Sequence, residues 1–370
     1  MSNNKSSIKK LINAGFSSTS CNFKCQYCYL SESSCKVNSV KAPIFQYSVE
    51  HMAKALTQER LKGTCLFNIC ADGETLIPEE VPQLIKALLE NGHYIEVVTN
   101  GTITKRFIQI SQFDKSLLER LTFKFSFHYL ELIRTNTINV FFDNINRMKL
   151  AGCSFTVEMV PHDEIVKDIE FIKNLCIEKV GAVCHLTIAR DHENSLKLLS
   201  KMSLTEYKRT WESFDSDMFN FKVSTFGIKR KEYCYAGDWS IDINLGTGDT
   251  KQCYCTRFTQ NIFEDINKSI TFLPIGKNCS LEHCYNSHAL MTLGVIPDYD
   301  SITYADVRNR TCNDGNEWLN KTLKSFISQK FVDNNKTYNT LEKSLIETRI
   351  NLKKIKRYFK RMIENEEDNM

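Results

Sequence analysis

Cys21, Cys25 and Cys28 stand in the segment CNFKCQYCY, with three residues between the first two and two between the last two. Thiolates at such spacing can close on one metal centre, and the number of them decides which. A structural zinc ion takes four protein ligands, and Cys35 could supply the fourth here. A 4Fe-4S cluster held by three thiolates instead leaves one iron open to bind something else. A second set lies far downstream: Cys234, thirteen residues, Gly248, four residues, Cys253, and then Cys279 and Cys284 in CSLEHC. Between the first two, WSIDINL alternates like a hairpin strand and would bring its end cysteines together. Zinc and iron–sulfur both fit these four thiols, with Cys255 and Cys312 in reserve. Cys65, Cys70, Cys153, Cys176 and Cys184 sit in apolar runs and read as core thiols.

The rest of the chain must position those sulfurs. It has 370 residues, 42% hydrophobic and 25% charged, which is enough for a barrel-sized domain with a smaller one beside it. Lys and Arg number 48 against 44 Asp and Glu, too even a balance for nucleic acid or an anionic membrane to be the main partner. The N-terminal segment lacks the apolar core of a signal peptide, and no apolar run is long enough to span a bilayer. A cytoplasmic location is therefore expected, where fifteen cysteines serve as ligands or buried thiols rather than a disulfide framework.

Periodicity predicts strands at 14–20, 65–70, 94–99, 123–128, 154–160 and 183–188, with helices such as 49–62, 79–90, 139–150 and 165–177 between them. This is an α/β pattern, a partial (β/α)6 barrel over residues 1–190. A helical bridge (191–222), a cysteine-rich module (223–315) and C-terminal helices (316–370) follow. In the last of these Leu341, Leu345, Thr348, Leu352, Ile355, Phe359 and Met362 form a stripe expected to pack on the body of the protein.

A β/α barrel carries its reactive groups at the C-terminal strand ends. There stand Asp72, Gly73 and Glu74 in ADGET, Thr99, Asn100 and Gly101 in TNG, Ser126 and His128 in SFHY, Glu158 and Arg190. Alternation sends Ser126 and His128 to one face and Phe127 to the other. The bland readings are an ordinary turn for TNG and a satisfied histidine for His128.

With Tyr27 and Tyr29 flanking Cys28, the first loop resembles the cluster loop of the radical S-adenosylmethionine enzymes. The resemblance implies a 4Fe-4S cluster on Cys21, Cys25 and Cys28, S-adenosylmethionine on its open iron, and an electron donor such as flavodoxin or ferredoxin. It further implies cofactor contacts from Gly73 and Glu74, similar to the family's Gly-Gly-Glu motif with Asp72 at its first glycine, and from Asn100, Ser126, His128 and Arg190. The second cysteine set is similar to the opening of the SPASM and twitch modules, which implies an auxiliary 4Fe-4S cluster on Cys234, Cys253, Cys279 and Cys284. The closely spaced cysteine run of a full SPASM module is missing, and zinc stays open for this site. The implied activity is hydrogen-atom abstraction that oxidises, epimerises or cross-links a carbohydrate, polyol or peptide. About twenty residues before the loop favour a small or saccharide substrate, or a separate recognition protein. The competing class is a non-catalytic, cysteine-rich metal-binding or redox-sensing protein.

Overall fold

The computed structural model describes residues 6–17, 20–28, 44–191, 196–256 and 259–352. Tyr29, Cys35, Ile355, Phe359 and Met362 lie outside them. Six parallel strands run in chain order from the middle of a sheet to one edge: β1 (Lys10–Phe16), β2 (Cys65–Ala71), β3 (Tyr94–Thr99), β4 (Leu121–Ser126), β5 (Ser154–Met159) and β6 (His185–Leu186). Burial is nearly continuous along them and complete in β5, as a parallel sheet covered on both faces requires. The helices Val81–Glu90 and Ile138–Ala151 help to supply the cover, the first through Val81, Leu84, Ile85 and Leu88. The full order is β6-β5-β4-β3-β2-β1-β7-β8-β9, an open sheet of the partial-barrel kind.

The sheet extends past β1 in the other direction. β7 (Ser240–Asn244) pairs parallel with β1 from Leu11↔Ser240 to Gly15↔Asn244, and β8 (Asp249–Lys251) and β9 (Gln260–Asn261) continue antiparallel. The hairpin between Cys234 and Cys253 therefore grows on the edge of the barrel sheet. Its parallel partner is remote in sequence, and local alternation carries no record of it.

Three strands differ from their expected spans. β1 lies earlier, at Lys10–Phe16, because it is an interior strand paired on both sides; Lys10 is tolerated there by bonding the Asp238 carbonyl at 2.5 Å and its carboxylate at 3.6 Å. β4 ends at Ser126, since the N–H of Phe127 still bonds Glu158 O at 2.7 Å but His128 already caps the helix Tyr129–Arg134. β6 is cut to two residues, and the N–H of Leu186 donates to Ser216 Oγ at 3.0 Å.

A second apolar core forms on residues of the strands' first halves. Leu11, Leu66 and Tyr94 meet Trp239, Leu290, Leu323 and Phe326, with Tyr94 stacked on Phe326 at 3.6 Å between centroids. The helix Lys321–Ile327 thus belongs to the body. Leu341, Leu345 and Leu352 do not follow it: they are 76%, 71% and 55% exposed, so the described part of the stripe faces solvent instead of packing.

Two wholly buried histidines make stability depend on pH. His93 Nδ1 accepts the N–H of Cys65 at 3.2 Å and Nε2 meets Leu56 O at 2.9 Å, while His185 Nε2 meets Asn309 O at 3.0 Å. Burial pushes His93 down to about 4 and His185 down to about 3 from 6.5. Between these values and 6.5 the unfolded chain binds protons that the folded chain refuses, so stability falls as the pH falls through that window. Urea unfolding is expected to lose up to about 1.4 kcal/mol per pH unit for each histidine. His93→Gln should remove one share of the slope, and an unchanged slope in that variant would contradict the assignment.

Candidate active site

The C-terminal ends of β2 to β5, with the loop after β1 and the segment after β6, surround a cavity of about 1010 Å³. Cys21, Cys25 and Cys28 line it, and so do Gly73, Glu74, Asn100, Ser126, His128 and Arg190. Asp72 is not on the lining and turns its carboxylate toward Ser17 Oγ at 3.4 Å. Phe127 is buried among Phe141 and Phe142, on the side away from Ser126 and His128.

The three thiols lie on a loop held by several strand ends. The N–H of Glu74 donates to Ser20 O at 3.2 Å, tying the start of the loop to the segment after β2. Asn100 Nδ2 donates to Asn22 Oδ1 at 2.7 Å, and Asn22 Nδ2 donates to Thr102 Oγ1 at 2.8 Å. The N–H of Lys24 bonds Glu131 at 2.7 Å, and Arg134 fixes that carboxylate with two contacts of 2.8 Å. Tyr27 shares a hydrogen bond of 2.9 Å with His128 Nδ1 and packs on His162 at 4.7 Å between centroids. Burial holds His128 down to about 4, so a neutral ring braces the tyrosine. These contacts hold the loop before any ligand arrives.

Burial, then Glu131 and the two neighbouring thiols, pushes the Cys25 thiol well up. Three thiolates this close repel one another unless a cationic centre holds them, and three soft sulfur donors suit an iron–sulfur cluster. Among the described residues no three or more His, Cys, Asp or Glu side chains stand in an arrangement that would hold a metal ion as they are.

Glu74 is 2% exposed and its oxygens are occupied. Oε1 accepts from the Thr99 hydroxyl at 2.6 Å and the N–H of Leu76 at 3.0 Å, and Oε2 accepts the N–H of Asn100 at 2.7 Å. It joins the end of β2 to the turn after β3. That turn needs its glycine: Gly101 has φ 76°, and a Cβ there would stand 2.6 Å from the Phe141 ring. Arg190, just after β6, lies over the ring of Tyr285 at 5.3 Å.

In the second cysteine set, Cys255 lies near enough to Cys253 and to Cys279 for the thiols to act on one another. Cys234 and Cys284 lie near enough to act on each other and on Cys279. The five are neighbours. Cys312 is apart from them, its sulfur 3.4 Å from Val180 O at a helix end where a Cβ on Gly181 would strike it at 2.8 Å. Cys70, expected in the core, faces the cavity, with its thiol pushed up to about 11 by burial. Sequence reasoning missed Lys124, Lys222 and His288 on the lining, since single residues on unrelated elements leave no spacing to read.

Residues 16–176 match the family model described as the Radical SAM superfamily. A protein of Methanocaldococcus jannaschii, named for glycyl-radical enzyme activation, is 27% identical over 95 residues, covering 26% of this chain and 34% of that one. The fold is similar to SuiB of Streptococcus suis bound to S-adenosylmethionine, with a TM-score of 0.51 at 16% identity over 70% of this chain and 64% of SuiB. The chain thus covers about a third of the first relative and just under two thirds of the second. Another similar structure, anSMEcpe with bound AdoMet, has a TM-score of 0.42 at 17% identity over 70% of this chain and 76% of that one.

Because three protein donors point at Glu74, the carboxylate has a structural role that needs no ligand. Glu74→Gln turns an amide toward at least one of them and should cost about 1 to 3 kcal/mol in denaturant unfolding of the metal-free chain. Wild-type stability in that variant would show that the donors are satisfied elsewhere.

Proposed function

Since residues 16–176 belong to the Radical SAM superfamily, we propose that this enzyme cleaves S-adenosylmethionine reductively and abstracts a hydrogen atom from a carbohydrate, polyol or peptide. One observation carries the reading: the three cysteines and the strand-end residues Glu74, Asn100, Ser126, His128 and Arg190 meet around a single cavity. When bound, a 4Fe-4S cluster and S-adenosylmethionine supply the electron and the 5′-deoxyadenosyl radical, the electron coming from a donor such as flavodoxin or ferredoxin. The chain's own residues hold and aim. Cys21, Cys25 and Cys28 provide three thiolates on the braced loop, and Gly73, Asn100 and Ser126 line the space beside it. Glu74 and His128 act on that space by fixing the turn after β3 and Tyr27.

The second cysteine set supports an auxiliary 4Fe-4S cluster on Cys234, Cys253, Cys279 and Cys284, with Cys255 as a fifth thiol in contact with the set. Tyr254 and Tyr285, each next to one of these cysteines, line the same cavity, so the set borders the substrate space. The domain division that goes with this reading is a barrel at 1–190, a bridge at 191–222, an iron–sulfur module at 223–315 and terminal helices at 316–370.

Anaerobically reconstituted protein should hold about eight irons per chain, and with dithionite it should release 5′-deoxyadenosine slowly even without substrate. Cys21, Cys25 and Cys28 changed together to Ala should leave about half the iron and no cleavage. Cys234→Ala or Cys284→Ala should lose the other half and keep cleavage, whereas Cys312→Ala should lose nothing. Full iron with cleavage in the triple variant would overturn the loop assignment. Iron without any cleavage in the wild type would favour a metal-binding or redox-sensing protein.

A further inference from the structure

The cavity has a cationic wall, and among the described residues one of its lysines, Lys222, has no carboxylate acting on it. Lys124, Lys222 and Arg190 line the cavity, with His288 and Asn286 on the same wall. Lys222, on the helix Asp217–Thr225, is only 7% exposed. The charges that reach it are two more cations, Arg190 and Lys124, and the thiol of Cys284. No carboxylate is among them. The acids on the lining are engaged elsewhere: Glu158 by Arg308 and Lys124, Glu74 by three neutral donors, Asp191 by Lys197 at 3.6 Å. His288 is also short of a partner, its Nδ1 buried without a hydrogen bond, and the same three cations act on it.

Burial, then the nearby Arg190 and Lys124, push the Lys222 amine well down toward its neutral form, and an anion beside it would hold the charged form with charge-assisted hydrogen bonds. We propose that the substrate carries an oxyanion, a carboxylate or a phosphate, seated between Lys222 and Arg190 against His288. This rests on the reading of the cavity as the reaction chamber. Lys222, Arg190 and His288 all lie outside residues 16–176, the part that matches the superfamily model. A cofactor shared by a superfamily is held by the shared barrel, whose last residue is Arg190, so Lys222 and His288, from beyond it, are the groups that read the substrate. The place of Lys222 beside Cys284 and of Arg190 beside Tyr285 puts the anion at the border with the second cysteine set.

Calorimetric titration of the full reconstituted chain with inorganic phosphate and with acetate, in the presence of S-adenosylmethionine, tests this without any turnover. At least one anion should bind saturably, and the stronger of the two identifies the kind of oxyanion. Lys222→Met should weaken it about ten-fold or more, equivalent to about 1.4 kcal/mol, while Lys222→Arg retains it. The affinity for S-adenosylmethionine should stay within about two-fold in both variants, well under 1 kcal/mol. Circular dichroism and iron content establish folding, and Lys222→Gln replaces Lys222→Met if the latter does not fold. The proposal fails if neither anion binds to folded wild type, or if removing the lysine leaves binding unchanged. It fails equally if cofactor affinity falls in step with anion affinity, since the lysine would then serve the cofactor. None of these readouts needs cofactor cleavage, so a failure of the radical reading would show separately.

Discussion

Arg308 holds the interior together. It is 1% exposed and pairs with Glu96 on β3 at 3.2 Å and with Glu158 on β5. Tyr304 donates to Glu96 at 2.7 Å, and Lys124, on the strand between, reaches Glu158 at 3.8 Å. Two carboxylates on the buried face of a parallel sheet cannot stand without cations; breaking such a network by removing one partner generally costs roughly 3 to 5 kcal/mol. The arginine comes from beyond the second cysteine set, so the sheet is electrostatically complete only when the C-terminal part of the chain has folded against it. Burial of Leu323 and Phe326 against Leu11 and Tyr94 supplies apolar contact for the same closure.

That network also sets the charge of the cavity. Glu96 and Glu158 are matched by Arg308 and Lys124, and among the described residues no carboxylate acts on Lys222. The chamber is consequently cationic on the wall beside the second cysteine set, while the braced thiol loop occupies another part of its lining. The loop is anchored by side chains from after β3 and β4, Asn100, His128 and Glu131, and its position follows from the strands more than from its own sequence. An open barrel provides this arrangement because its strand ends converge while its two edges remain available for additions such as β7.

Local signals were legible and remote ones were not. The β-rich runs can be read because a buried parallel strand is written in a few consecutive residues, and the three closely spaced cysteines do line one cavity. β1 lies earlier than local propensity indicates, since GFSSTS favours a strand while Lys10 looks wrong for a core; its partner Asp238 lies far along the chain. Glu158 looked too costly for a strand for the same reason, its cation being Arg308. Cys255 and Cys312 were equivalent in sequence, and only the packing of Cys312 beside Gly181 separates them. The leucine stripe past residue 340 shows the reverse error, a pattern that suggested packing on the body where Leu341 and Leu345 are exposed.

A cluster held by Cys21, Cys25 and Cys28 alone would leave one iron open within reach of a cofactor in the cavity. Electron paramagnetic resonance of the reduced, reconstituted chain tests it most directly. Adding S-adenosylmethionine should shift the signal of one cluster, and that component should vanish in the triple cysteine variant while any second signal persists. A spectrum that ignores S-adenosylmethionine, or a responsive component that survives loss of all three thiols, would contradict the account.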